Sequence, residues 1–220
     1  SGDGIEVIPA IAADGNLIVL RSDAQLPIRP AMVEANGTMR DVAPQLIPRD
    51  FPADKLVVPQ QIILSSADGM QIHGQLFLPR NNARQHPAIV FFHGGSRRQM
   101  LLGWHYMDYY SNAYAVNQYL AAHGFTVLSV NYRLGIRYGH MFHHPDHAGL
   151  AGAAEYQDVL AGAKVLQKVP GVDANRIGIW GGSYGGYLTA MGLARNSDIF
   201  KAGVDYHGVH DWSAFLSEWV

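Results

Sequence analysis

Between Ile179 and Thr189 the chain reads IWGGSYGGYLT. A buried-strand pattern runs into Gly181 and Gly182, one serine follows, and Gly185 and Gly186 fall in the segment after it. Glycines on both sides of a single hydroxyl remove every Cβ where an incoming strand and an outgoing helix approach closest. Gly181-x-Ser183-x-Gly185 has the spacing of a nucleophile elbow, which holds the serine Oγ on a strained turn above the end of a sheet. A helix starting at Tyr184 directs free N–H groups and its positive dipole end at charge developing there, so Tyr184 N–H is expected to be one oxyanion donor. Two other readings compete. A phosphate loop fits the interval between Gly181 and Gly186, but Tyr187 stands where lysine is required. A tight glycine turn with an idle serine has no further signature, and the strand before and helix after favour catalysis.

An elbow needs a sheet around it, and the remaining pattern supplies one. QQIILSSADG and MQIHGQLFLP read as a hairpin turning at Ala67-Asp68-Gly69, and PAIVFFH as a short apolar strand. Asp108 to His123 then reads as a helix stopped by Gly124, and FTVLSVN as a buried strand. From Ala153 to Val169 a helix is predicted, with Tyr156, Val159, Leu160, Ala163 and Leu166 on one face and Pro170-Gly171 as its stop. RIGIWG, Tyr184 to Arg195 and KAGVDYHG continue the alternation as strand, helix and strand. Such an order predicts an α/β domain, a mostly parallel sheet with helices on both faces. Residues 1–54 differ: short extended runs broken by Asp-Gly, Asn-Gly and prolines read as two or three strands, too few to stand alone. The expected division is therefore a β-rich segment over 1–54 and the α/β domain over 55–220.

FFHGGS places Gly94 and Gly95 at the C-terminal end of the AIVFF strand, the same sheet edge as Ser183. The second oxyanion N–H is expected from Gly94 or Gly95, although His-Gly-Gly also describes a plain turn. Composition removes other chemistries. With no cysteine there is no disulfide, thiolate metal site or cysteine nucleophile, and a net charge of −2 with pI near 6.6 lacks the basic footprint of a nucleic-acid binder. Met100 to Tyr132 contains no Lys or Arg, but His105, Asp108, Asn112, Asn117 and His123 interrupt it too often for a membrane span. SGDGIEVIPA has neither the basic start nor the apolar run of a signal peptide, and the compartment stays open. Charged residues are 15% of the chain against about 25% in ordinary domains, so part of the surface is expected to be covered by other protein.

Four further groups admit two readings each. His140, His143, His144 and His147 suggest imidazole ligands, but Pro145 opposes a helix aligning His143 with His147, and no metal is expected. Arg97 and Arg98 beside the glycine turn either hold a substrate carboxylate or are simply solvated. Trp212, Phe215 and Trp219 follow i, i+3, i+7 spacing, which describes a pocket or an ordinary buried helix face. Asp205, His207, His210 and Asp211 sit at the end of the strand after the elbow helix, within plausible reach of Ser183, although Asp211 is more simply the cap of a helix starting at Trp212.

WGGSYGGY strongly resembles the prolyl oligopeptidase family of serine peptidases, which includes dipeptidyl peptidase IV and acylaminoacyl peptidase. HGGS, VNYRLGIRYGHMF, DVLAGAKVLQKVPGVDANRIGIWGGSYGGY and FKAGVDYHGVHDW extend the resemblance over roughly residues 60 to 220. It implies an α/β-hydrolase fold preceded by a β-propeller, and RSDAQLPIRPAMVEANGTMR is similar to the last blade. It implies a serine peptidase acting on short peptides through an acyl-enzyme on Ser183, without cofactor. Trp212, Phe215 and Trp219 would line the pocket for the residue before the scissile bond. Expected partners are a peptide substrate and the remainder of the same polypeptide or a second copy, not nucleic acid or membrane. Ser96 departs from the proline common after His-Gly-Gly, and neither Phe92 nor His93 is the tyrosine that supplies a phenolic donor in some branches, so backbone N–H must serve. In this fold the triad runs Ser, acid, His; acid and base are expected beyond Val220. A carboxylesterase on the same fold and a catalytically incomplete interaction module are the alternatives.

Overall fold

The computed structural model describes residues 4–80 and 85–219, the last two without their side chains. The N-terminal runs form four strands rather than two or three: β1 (Ile5–Ile11), β2 (Leu17–Ser22), β3 (Arg29–Val33) and β4 (Met39–Asp41), an antiparallel meander. Gly15 and Gly37, at φ 86° and 81°, make the outer turns, where a left-handed backbone suits a residue without Cβ. Arg29 joins Asp23 at 2.8 Å and Asp41 at 2.9 Å across the sheet. This sheet, which resembles a propeller blade, meets the rest of the molecule through polar contacts. Ser22 Oγ donates to Trp104 O at 2.7 Å and Tyr114 Oη to Ala24 O at 2.8 Å.

The second sheet has six strands: β5 (Gln60–Ser65), β6 (Gln71–Phe77), β7 (His86–Phe92), β8 (Thr126–Asn131), β9 (Val172–Gly182) and β10 (Phe200–Tyr206). Their order is β10-β9-β7-β8-β6-β5. The first four are parallel; the β5–β6 hairpin runs antiparallel on the far side, turning at Gly69 with φ 87°. Helices α1 (Asp108–Ala122), α3 (Tyr156–Leu166) and α4 (Tyr184–Arg195) connect the parallel strands; α2 (His140–His143) is one short turn and α5 (Trp212–Trp219) follows β10. Together these make the α/β-hydrolase fold.

Alternation along the strands separates two apolar layers. Val90, Phe92, Val130 and Ile179 meet Val159 of α3 and Leu188 of α4, whereas Phe91 meets Tyr110 and Ala113 of α1. The predicted face of α3 is buried, with Val159, Ala163 and Leu166 fully enclosed. That helix begins at Tyr156 rather than Ala153, because Ala153 lies in the left-handed region at φ 52° and cannot continue a right-handed ladder. At the other edge, Val204 and Tyr206 of β10 are exposed. With Val116, Leu120 and Trp180 they line an apolar groove of about 390 Å³. The low charge content finds a structural counterpart on this face. Among the described residues no helix is long and apolar enough to cross a membrane.

One buried ion cluster ties the layers together. Arg133, 2% exposed, reaches Asp158 of α3 at 2.7 Å, Ser66 at 2.9 Å and Asp68 of the hairpin turn at 2.5 Å, while its backbone N–H donates to the same Asp158 at 2.8 Å. Removing one member of a buried pair strands its partner's charge, a loss of about 3–5 kcal/mol. Arg133→Ala is therefore expected to lower the unfolding free energy measured in urea by about 3–5 kcal/mol, against under about 1 kcal/mol for Arg40→Ala in the exposed pair with Glu34. Equal effects of the two variants would contradict this.

Candidate active site

The site is built by backbone meeting backbone. Ser183 stands between β9 and α4 with φ 56° and ψ −118°, outside the populated regions for a residue with a side chain, a strain of about 1–3 kcal/mol. Its N–H donates to Tyr206 O at 3.0 Å, and its carbonyl accepts Tyr187 N–H at 3.0 Å, the first bond of α4. Both backbone groups are thus committed. No hydrogen bond engages Ser183 Oγ among the described residues, and the residue is half-buried.

The flanking glycines have the steric task that their spacing suggested. A methyl at Gly181 would lie 2.5 Å from Phe92 O, and one at Gly185 would overlap that same oxygen. At Gly186 it would meet the Asp205 carboxylate and Gly208 Cα, the latter at 2.8 Å. Gly94 faces them: a Cβ there would sit 2.6 Å from Gly182 O and 3.0 Å from Ser183 Cβ. The His-Gly-Gly turn therefore lies directly against the elbow, with Gly94 nearer to Ser183 and Gly95 one residue beyond at φ 44°. Neither Gly94 N–H nor Gly95 N–H has an acceptor among the described residues. Tyr184 N–H, first in α4, is an orphan of the helix start by position.

Several side chains that sequence reasoning missed hold this turn. Tyr132 Oη donates to His93 O and Tyr110 Oη to Gly94 O, each at 2.9 Å. The phenols therefore fix the turn's carbonyls, leaving only its N–H groups for a ligand. His93, fully buried, stacks on Tyr132 with ring centroids 4.4 Å apart, and burial drives its pKa down to about 4. Tyr184 Oη donates at 2.5 Å to Glu155, a fully buried carboxylate that also accepts Gly149 N–H at 3.1 Å. Burial foremost, and then the Glu155 bond and charge, raise the Tyr184 phenol well above its ordinary range. For Tyr132 and Tyr184 the only sequence signal was their place in segments already marked, NYR and SYGG; Tyr110 and Glu155 carried none.

The predicted aromatic set is partly assembled. Trp212 makes edge contacts with Tyr184 at 5.8 Å, Tyr187 at 5.5 Å and Phe215 at 5.8 Å, so its ring backs onto the residue after the serine. Phe215 is 37% exposed, and the Trp219 side chain lies outside the described residues. Asp211 caps α5, accepting Ala214 N–H at 2.9 Å. Asp205 Oδ2 meets His210 Nε2 at 2.6 Å while its Oδ1 accepts Gly208 N–H at 2.8 Å, a pair that braces the loop after β10 without bonding Ser183. In the histidine-rich loop, His143 Nδ1 bonds the carbonyls of Leu134 and Gly135 at 3.1 Å. Among the described residues no three His, Cys, Asp or Glu side chains form a group suited to a metal ion.

Residues 111–219 match the prolyl oligopeptidase family, peptidase S9. Over 172 residues the chain is 31% identical to dipeptidyl aminopeptidase BIII of Pseudoxanthomonas mexicana, covering 74% of this chain and 24% of that protein. An uncharacterized peptidase of Bacillus subtilis, YuxL, is 30% identical over 174 residues, 74% of this chain and 25% of its own length. The chain thus spans about a quarter of the curated relatives it matches. Acylaminoacyl peptidase of Pyrococcus horikoshii superposes with TM-score 0.73 at 26% identity, covering 95% of this chain and 32% of the other. An acylaminoacyl peptidase bound to Z-Gly-Gly-Phe-chloromethyl ketone does so with TM-score 0.76 at 28% identity, over 99% and 33%.

Two outcomes are expected from this packing. In Gly185→Ala the β-methyl must push Phe92 O and the elbow apart, lowering stability by about 1–3 kcal/mol in chemical unfolding and displacing Ser183 from the Gly94 amide; an unchanged midpoint would contradict the contact. Secondly, His93 and His105 are both held neutral by burial, each with its pKa driven to about 4 from an ordinary 6.5. Between those values the unfolded chain binds more protons than the folded one, so stability rises with pH across the window and falls on acidification from pH 6.5 to 4. His93, the fully buried one, contributes about 3 kcal/mol over that span, and His105 less, since solvent screens its charge. His93→Phe should flatten the unfolding profile by about one proton, and an unaltered slope would rule His93 out.

Proposed function

Through residues 111–219 the chain belongs to the prolyl oligopeptidase family, and on that premise we propose that it carries the nucleophile of a serine peptidase hydrolysing peptide bonds of short peptides. The reading is carried by one observation: a serine strained to φ 56° on a strand-to-helix bend, with the backbone of a glycine turn against its Cβ and that turn's amides free. Ser183 Oγ attacks the scissile carbonyl. The negative oxygen of the tetrahedral intermediate takes hydrogen bonds from Tyr184 N–H and from Gly94 or Gly95 N–H, groups fixed before the charge forms. Collapse expels the amine and leaves an ester on Ser183, which water hydrolyses. Trp212 and Phe215 line the pocket for the residue before the scissile bond, with Tyr184 at its back.

A hydroxyl near its ordinary pKa is a poor nucleophile without a base. His210 Nε2 is engaged by Asp205, and Ser183 Oγ meets no imidazole among the described residues. We therefore assign base and acid to polypeptide outside these 220 residues. Residues 1–54 are read as the end of a β-propeller and 55–220 as peptidase domain, with the apolar face of β10 covered by the remainder of the polypeptide or by a second copy.

In the complete polypeptide a fluorophosphonate should label Ser183, Ser183→Ala should lose peptide turnover by about 10³-fold or more, and His210→Gln should keep the label. Turnover of matched esters with none of amides would make the protein a carboxylesterase; absence of label would remove the enzyme reading altogether.

A further inference from the structure

Beside the glycine turn lies a small cleft that the acyl-transfer chemistry does not use. Arg97, Arg98 and Arg137 line it together with Gln99, His105 and Tyr106, around about 40 Å³. A water needs roughly 10–15 Å³ of such space, so the cleft has room for a carboxylate. Ordinary surface arginines are solvated and need no explanation. Arg21, Arg29, Arg40, Arg133 and Arg176 each sit in an ion pair, whereas Arg97, Arg98 and Arg137, like Arg49, Arg80 and Arg195, have no carboxylate partner among the described residues; what sets these three apart is that they share one cleft. Arg98 Nε is buried with no hydrogen-bond acceptor, an unsatisfied donor beside the cleft.

The arginines are also held together by backbone. Ile136 N–H donates to Arg98 O at 3.2 Å, and Gly135 permits the approach, since a Cβ there would lie 2.9 Å from that oxygen. Arg137 follows in the left-handed region at φ 73°, a conformation disfavoured for a residue with a side chain. The two loops thus bring like charges to one cleft against their mutual repulsion, and His105, kept neutral by burial and by Arg98, adds no counter-charge. A planar anion would satisfy the guanidinium forks in the geometry carboxylates and arginines prefer.

Position relative to Ser183 identifies the ligand. Gly94 touches Ser183, Gly95 is next in the chain, and Arg98 Nη2 lies 3.8 Å from where a Gly95 Cβ would stand. A peptide advances about 3.3–3.6 Å per residue when extended, so this chain of contacts keeps the cleft within a few residues of the scissile carbonyl. We propose that Arg98, with Arg97 and Arg137, forms a subsite for a substrate carboxylate within a few residues of the bond cut, either the peptide's own C-terminus or an acidic side chain. The assignment rests on the peptidase reading for its substrate, but its test does not require turnover.

Calorimetry on the complete polypeptide carrying Ser183→Ala compares three short blocked peptides: one ending in a free carboxylate, its C-terminal amide, and the amide with Asp in place of Asn near the scissile position. At least one carboxylate peptide should bind about 10-fold tighter than the neutral amide, and which one does so identifies the source. Arg98→Gln should reduce that preference below about 3-fold, and Arg137→Gln, at an exposed position, should weaken it in the same direction should Arg98→Gln fail to fold. Equal affinities for all three peptides, or a preference surviving both substitutions, would overturn the subsite. Peptides that bind with the expected preference to Ser183→Ala yet are not cleaved by the wild-type protein would instead sink the peptidase reading and leave the subsite standing.

Discussion

The contact between the His-Gly-Gly turn and the elbow governs the rest of the site. Phe92 O lies where a methyl on Gly181 or Gly185 would be, and Gly182 O lies 2.6 Å from where one on Gly94 would be. Two backbone segments from strands β7 and β9 are therefore in van der Waals contact with nothing between them. Such contact has no side-chain freedom to absorb error, so the relative placement of Ser183 and the Gly94 and Gly95 amides is set by strand register together with the tyrosine hydroxyls that hold the turn's carbonyls. This is the preorganisation that makes fixed dipoles effective in a transition state: donors need not reorient as the charge appears. It also explains how the strained φ of Ser183 persists. Its N–H is held by Tyr206 O and its carbonyl by Tyr187 N–H, so relaxation would break two hydrogen bonds and separate strands β9 and β10.

Much of this was legible because it is encoded locally. Glycines at fixed offsets around a serine, an apolar run before them and a helix-forming run after them are signals within a dozen residues. Strand–helix alternation fixed the parallel part of the sheet for the same reason, and the Asp211 cap followed from a single polar residue before a helix. What escaped is encoded only by contact. Glu155 precedes Tyr184 by 29 positions and Tyr132 follows His93 by 39, and no periodicity relates them. Arg137 joined Arg97 and Arg98 only because a left-handed turn redirects the chain after Gly135. The N-terminal strands were undercounted because Met39–Asp41 is three residues long, below the length at which alternation becomes visible. The start of α3 was misplaced because no local signal marks a left-handed alanine: Ala153 is a helix former by type, and only its tertiary setting puts it at φ 52°.

Three kinds of interaction then divide the work around Ser183. Backbone contact fixes the reacting geometry. Buried polar anchors hold the scaffold behind it: Glu155 ties the first side chain of α4 to the Gly149 loop, and that side chain in turn packs against Trp212. A fully buried carboxylate with two hydrogen bonds and no cation among the described residues is tolerable only while both donors remain in place, which makes the tie sensitive to displacement of Tyr184. The arginine cleft, in contrast, gathers its charge where Arg97 and Arg137 are exposed, and solvent lowers the energy of the empty state. The same guanidiniums buried beside Ser183 would have stabilised negative charge indiscriminately in ground and transition states; on the proposed reading, their separation from the Gly94 and Gly95 amides would leave substrate placement to the arginines and the developing oxyanion to the neutral amides.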